Sequence, residues 1–333
     1  MIEQEYNQQS INNKSNLKKA SSGIFLILCT FPILAIMAVM PTYIYAIFST
    51  IFNFSDEISS VLSYIFTFAL PQILYPLFTM AAAFFMISFS GKRGKDIISV
   101  NDVPASEILL AVGIFLGMGT AGTYISDFIT QLIIKLGAPV PDISELLSAP
   151  QYPWQFCLYI ISIAVMPSIC EEVIFRGIIC GILKEYNKTA AIIFSSIAFS
   201  LVHSTVQQIP FSFMMGLFLA YLFIKYNSIL PCILLHFINN FISCFFMLLY
   251  ENMSEEAYIS IVQIYDISTI LIGILCTLFF IISIKKKHST EKEVFAVSGK
   301  EFTINVVFSI PFILFVLIYL FQTVTGILSN YFS

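Results

Sequence analysis

Charge is scarce in this sequence. Only 11% of its 333 residues are Asp, Glu, Lys or Arg, while 58% are hydrophobic. Soluble domains are nearer a quarter charged and half apolar, so an ordinary water-soluble domain is a poor description. There is no basic surplus: 16 Lys and Arg against 20 Asp and Glu leave a formal net charge of −4. Phosphate neutralisation needs clustered positive charge, so nucleic acid is not an expected partner. Paired cysteines are missing as well. Cys29, Cys157, Cys170, Cys180, Cys232, Cys244 and Cys276 form no CxxC pair, which argues against a zinc ribbon or a disulfide framework. Nearly all fall in apolar stretches, where cysteine serves as a small core side chain. No glycine-rich phosphate loop occurs.

What the chain has instead is long hydrocarbon runs from end to end. A membrane span needs about twenty apolar residues. On that rule nine spans are expected, at roughly 23–49, 60–89, 107–134, 154–183, 189–206, 209–225, 228–249, 259–284 and 302–328. The fold class is all-α, a polytopic transmembrane helical bundle. The fifth and sixth spans are short, separated by "STVQQIP", and suggest a tight hairpin shielded by other helices. The organisation reads as a polar, disordered cytoplasmic tail at 1–22, N-terminal helices at 23–149, a core at 150–250 and C-terminal helices at 251–333. The first apolar run is far longer than a signal-peptide core and is expected to be a retained span.

Lysines and arginines set the orientation. Lys14, Lys18 and Lys19 precede the first span; Lys92, Arg93 and Lys95 follow the second; Lys184 and Lys188 follow the fourth; Lys225 follows the sixth; and Lys285, Lys286, Lys287, Lys292 and Lys300 follow the eighth. The odd-numbered connections, "NFSDEISS", "GAPVPDISELLSAPQYP" and "ENMSEEAY", carry none. The positive-inside rule places the N-terminus in the cytoplasm and the C-terminus outside. Lys135, at the outer end of the third span, fits as a snorkelling side chain. "GIFLG" at 113–117 has the small-xxx-small spacing of closely packed helices.

Ionisable residues inside spans are costly and mark function or pairing. Asp127 and Asp266 lie near span ends, where a charge needs no further role. The others gather in three spans: Glu171, Glu172 and Arg176 in the fourth, His203 in the fifth, and His236 with Asn240 in the seventh. Two of the chain's three histidines are in this set, and the third, His288, falls in a polar loop. Residues four apart share a helix face, so Glu172 can pair with Arg176 while Glu171 points about 100° away. The same spacing aligns Phe199 with His203 and His236 with Asn240. Depth agrees too. Glu171 is thirteen residues from Lys184, His203 fifteen from Lys188 and Asn240 fifteen from Lys225, all roughly 20 Å deep at ~1.5 Å per residue.

One level shared by two carboxylates, two imidazoles and an amide can activate water. A carboxylate in apolar surroundings takes up a proton more readily, and amide or imidazole N–H groups can donate to an oxyanion. Glu171, His203 and His236 also match the ligand types of a catalytic zinc. Neither route needs a serine or cysteine nucleophile. Pro167, four residues before Glu171, favours a kink that would let water approach.

At these residues the sequence resembles the CAAX protease and bacteriocin-processing family, also called the Abi family of intramembrane proteases. Its pattern of EExxxR, FxxxH and HxxxN reads here as "EEVIFR" at 171–176, "FSLVH" at 199–203 and "HFINN" at 236–240. The resemblance spans roughly 154–245 and implies an intramembrane endopeptidase acting on a membrane-associated protein or peptide, by CAAX-type or leader-peptide processing. It implies Glu171 as the base that activates water, supported by Glu172, which pairs with Arg176. It implies His203 positioning that water, and His236 with Asn240 completing the site as the oxyanion-stabilising pair. Phe199 reads as packing. Metal-free and zinc-dependent chemistry both stay open at this point. So do a non-catalytic immunity or scaffold protein of the same fold and a proton-coupled transporter, although polar groups clustered at one level favour hydrolysis. The expected setting is a bacterial cell membrane.

Overall fold

A computed structural model describes residues 2–91, 93–138, 140, 150–287 and 295–332. Lys92, His288, Lys292 and most of the 137–153 connection lie outside the described residues. Among those described, every regular element is a helix. That follows from the composition, because a helix satisfies its backbone internally where no water can.

Eight helical stretches are long and apolar enough to cross a membrane: Gln9–Ile51, Asp56–Phe89, Ala105–Lys135, Pro153–Leu183, Gln208–Tyr226, Leu230–Asn252, Glu255–Ile282 and Ile310–Leu328. The protein is an integral membrane protein, and eight of the nine expected spans have these counterparts. The fifth is different. It is a helix of only 14 residues, Lys188–Leu201, about 21 Å long. It ends inside the bundle, and the chain turns at 202–207 before Gln208–Tyr226 begins. Ser204, in left-handed backbone at φ 57°, reverses the direction.

The N-terminal tail is not disordered. It is the first part of the helix Ile2–Leu28, and Leu17 and Ala20 are buried. Those apolar residues share a face and continue the stripe of Ile24 and Leu28. At the other end of the chain, the expected span 302–328 is split into Gly299–Val307 and Ile310–Phe332. Pro311 disfavours helical backbone just before it, and the break falls at Phe308 and Ser309.

The even-numbered connections meet at one end of the bundle. Lys14 pairs with Glu301 at 2.6 Å. The Ile229 amide donates to the Ser99 carbonyl at 2.9 Å, and the Val297 amide to the Tyr186 carbonyl at 3.1 Å. Lys184 Nζ donates to Asn227 Oδ1 at 2.8 Å. Asn227 itself adopts left-handed backbone at φ 47° and makes the tight turn between two spans. A stripe of Ile264, Ile267, Leu271, Leu275 and Leu278 on Glu255–Lys287 is exposed, as hydrocarbon-facing side chains are in a bilayer.

The close helix contact expected at Gly113 and Gly117 is present. A Cβ on Gly117 would lie 2.8 Å from the Gly273 Cα and 2.8 Å from the Thr269 carbonyl oxygen. Both are backbone atoms and cannot yield as a side chain can. Gly117→Ala should therefore lower stability by roughly 1–3 kcal/mol in thermal unfolding in detergent. Gly326→Ala, whose Cβ meets nothing within 4 Å, should stay within about 0.5 kcal/mol of the parent.

Candidate active site

The span Pro153–Leu183 is not a uniform α-helix. It is π-helical over Ile160–Val165, α-helical over Met166–Glu172 and π-helical again over Val173–Cys180. π-helical turns are rare and concentrate at functional sites. Glu171 and Glu172 sit at the end of the α-helical stretch, between the two. Pro167 opens that stretch and has no N–H, so the Ile163 carbonyl four residues earlier loses its α-helical donor. Asn240 Nδ2 donates to this carbonyl at 3.1 Å, and Asn239 Nδ2 donates to Asn240 Oδ1 at 3.2 Å.

Glu172 is the hub of the polar cluster. Its side chain is fully buried, and Arg176 is 1% exposed. Arg176 Nη1 donates to Glu172 Oε1 at 2.8 Å, the expected one-turn pair. The same oxygen accepts from His236 Nδ1 at 2.8 Å. A carboxylate can only accept, so His236 carries its hydrogen on Nδ1 and turns Nε2 toward Glu171. Nε2 and Glu171 Oε2 are 3.9 Å apart, and Glu171 Oε2 is buried with no hydrogen-bond partner among the described residues.

His203 is not on a helix but in the turn just after Leu201. The apolar run reads through this point, so the helix end is invisible in hydropathy. Its Nδ1 lies 2.8 Å from the Phe199 carbonyl, which can only accept. As a neutral imidazole, His203 therefore also presents a bare Nε2. Phe199 is buried among all of these groups. Its ring centroid lies 4.2 Å from the Arg176 guanidinium, 4.9 Å from the His203 ring and 5.8 Å from the His236 ring. It packs edge-on against both imidazoles and flat under the cation.

These side chains open onto a chamber of about 630 Å³, lined in part by Glu171, His203, His236 and Asn240. A second chamber of about 270 Å³ is also lined by Glu171. Gln72, Pro167, Glu171, His203 and Gln208 line both and form the neck between them. A third chamber of about 770 Å³ holds none of the motif residues. It joins the first through shared walls at Asp127, Asn239 and Phe211. Asp127 and Asp266 both line the third chamber, and Asp266 accepts a hydrogen bond from the Tyr124 hydroxyl at 2.8 Å.

Sequence reasoning did not find the Glu172–His236 bond, nor Gln72, Gln208 and Asn239. A search for ionisable groups passes over neutral amides. The signal for Gln72 was its position in "LPQILYP", a polar residue between two prolines in an apolar run. Among the described residues no three His, Cys, Asp or Glu side chains converge closely enough to hold a metal ion. Glu171, His203 and His236 therefore do not form a ready zinc donor set, and no step below passes through a metal.

Residues 153–242 match the family described as type II CAAX prenyl endopeptidase Rce1-like. This segment, about a quarter of the chain, is thus similar to the CAAX protease and bacteriocin-processing family. All three motifs of this intramembrane protease family fall inside the matched segment, whereas Gln72 and Asp127 fall outside it. Searches of curated proteins and of solved structures return no match.

The charge arrangement carries its own prediction. Removing one partner of a buried pair leaves an uncompensated charge and costs about 3–5 kcal/mol. Glu172→Ala should therefore lower thermal stability in detergent by an amount of that order. Glu172→Leu combined with Arg176→Met removes both charges and should recover more than half of the loss.

Proposed function

We propose that this protein is an intramembrane endopeptidase in which Glu171 activates water to hydrolyse a peptide bond of a membrane-associated protein or peptide. The observation that carries the reading is the unpartnered Glu171 Oε2, which faces His236 Nε2 at the neck of a chamber large enough for a peptide. Glu172 Oε2 is also buried without a donor, and such groups cost stability, but of the two glutamates only Glu171 lines the chambers. A water in the neck donates one hydrogen to Glu171 and a second to a bare imidazole nitrogen. As its oxygen adds to the carbonyl carbon, Glu171 takes a proton and the carbonyl electron pair moves onto oxygen. Collapse of the tetrahedral species breaks the C–N bond, and Glu171 returns the proton to the departing amine.

The remaining residues of the motifs take supporting parts in this mechanism. Glu172, held by Arg176, fixes the tautomer and angle of His236. Asn240 braces the backbone that Pro167 interrupts, which keeps Glu171 aimed at the neck. Phe199 holds both imidazole rings. The unit 150–250 is the catalytic core, and the helices on either side enclose it. The lysine-bearing end, which includes Lys14 and Lys184, faces the cytoplasm of a bacterial cell by the positive-inside rule, and the C-terminus lies outside.

Two substrate kinds follow from the family: a prenylated C-terminal tail and a leader peptide of a secreted bacteriocin. The test uses purified protein in nanodiscs with quenched fluorescent peptides of both kinds. The parent should cleave one of them. Glu171→Gln should lower kcat by about 10²–10⁴-fold, and His203→Ala and His236→Ala should each lower it strongly. If the parent cleaves neither, or Glu171→Gln cleaves as fast as the parent, the reading is wrong. Elemental analysis with a chelator control addresses zinc separately. The expected result is no stoichiometric metal, and activity that survives chelation.

A further inference from the structure

His203 stands on irregular backbone. The helix Lys188–Leu201 stops just before it, and the chain turns at 202–207 inside the bundle. Non-helical backbone at membrane depth persists only where the surrounding protein holds it. Two contacts tie the His203 ring to its own helix: Nδ1 meets the Phe199 carbonyl, and the ring packs edge-on to Phe199. Neither fixes the turn itself. Ser204, the next residue, adopts left-handed backbone at φ 57°, which strains any residue that has a Cβ. Such a conformation lasts when neighbouring structure imposes it.

That neighbour is the last helix of the chain. The Ser204 hydroxyl donates to Gln322 Oε1 at 3.1 Å, across 118 positions of sequence. Gln322 lies on Ile310–Phe332, in the apolar run "LFQTVTG". Phe312, Phe315 and Tyr319 precede it on the same helix face, and all three are buried. This face is anchored on its own account. The Tyr319 hydroxyl donates to the Leu28 carbonyl at 3.1 Å, and Phe312 packs on Phe25 and Phe194. The stripe that docks the last helix thus ends in an amide where the His203 turn stands. A polar side chain turned inward from a span marks function or pairing. The other acceptors near the Ser204 hydroxyl are the Leu201 and Val202 carbonyls, at 3.4 and 3.5 Å. Both belong to the same turn and cannot tie it to another element.

We propose that Gln322 is a positioning residue for His203: through Ser204 it holds the turn that keeps the imidazole at the neck lined by Glu171. The inference rests on the protease reading above. Glu171 and His203 come from separate helices, so their joint hold on one water depends on what fixes each of them. Glu171 is braced through Asn240 on the backbone of its own span. His203 is braced from the C-terminal helix, which lies outside the family-matched segment.

Two readouts in nanodiscs test this. The first is cleavage of whichever quenched peptide the parent cleaves. Gln322→Leu and Ser204→Ala each remove the bond and should each lower kcat by about 10–100-fold, with KM changed less than about threefold. The double variant should be no slower than the slower single one, because both substitutions remove one interaction. Gln322→Glu keeps an oxygen acceptor for the hydroxyl and should bring kcat back to within about fivefold of the parent. The second readout is the imidazole nitrogen NMR spectrum. The chain has three histidines, and the alanine variant of each assigns its signal. Gln322→Leu should shift or broaden the His203 signal and leave the His236 signal as in the parent. Thermal unfolding shows which variants are folded, and Ser204→Ala carries both readouts if Gln322→Leu does not fold. If the folded variants keep kcat within about threefold, or the His203 signal does not change, this proposal fails and the protease reading stands. A parent that cleaves nothing, or a Glu171→Gln that cleaves normally, overturns both.

Discussion

One carboxylate oxygen organises the centre of this protein. Glu172 Oε1 accepts from Arg176 and from His236 at the same distance, 2.8 Å, in a place that water does not reach. Buried charge of this kind is tolerated only when it is paired and hydrogen-bonded. Here the pairing also sets direction. Arg176 comes from the same helix as Glu172, and His236 comes from the helix Leu230–Asn252. The shared oxygen therefore joins two spans, selects the imidazole tautomer and aims the free nitrogen at Glu171. Two adjacent glutamates end up in different conditions: Glu172 holds two donors on one oxygen and is sealed in the core, whereas Glu171 lines the chambers with an oxygen that has none.

The backbone makes room for this arrangement by departing from regular α-helix. Ile160–Val165 and Val173–Cys180 are π-helical, and Pro167 stands between them. Each departure frees or redirects carbonyls, which lipid would not tolerate but a neighbouring helix can repair. Asn240 is such a repair, since its amide meets the Ile163 carbonyl. Polar side chains at the centre of the bundle thus serve the local backbone as well as the chemistry. The broken span is workable only because other helices enclose it.

Much of this was legible in the sequence, for physical reasons that can be traced residue by residue. The spans follow from the length of apolar runs, and the Glu172–Arg176 pair follows from one-turn spacing. Gly113 and Gly117 announced a close helix contact. What could not be read depends on how distant helices are rotated against each other. Glu172 and His236 are 64 positions apart, and no spacing rule links them. The π-helical turns were hidden because a span that is apolar on all sides has no periodicity to disturb. Gln72 escaped notice because it is uncharged. Asp127 was taken as an interfacial charge because its position along the span says nothing about the chamber beside it. The N-terminal tail looked too polar to be ordered, yet Leu17 and Ala20 pack inward and carry it into the helix.

The helix Lys188–Leu201 is too short for the layer it sits in. At about 21 Å it falls well below the roughly 30 Å of a bilayer's hydrocarbon core. A lipid-facing helix of that length would thin the membrane around it or be driven to sort into a thinner one. This helix does neither, because it touches little lipid. Ala191, Ser195, Ser196, Ala198, Phe199 and Ser200 are all buried in the protein. Hydrophobic matching therefore does not govern its length. The helix acts as a post inside the bundle, and where it stops decides how deep His203 stands in the membrane.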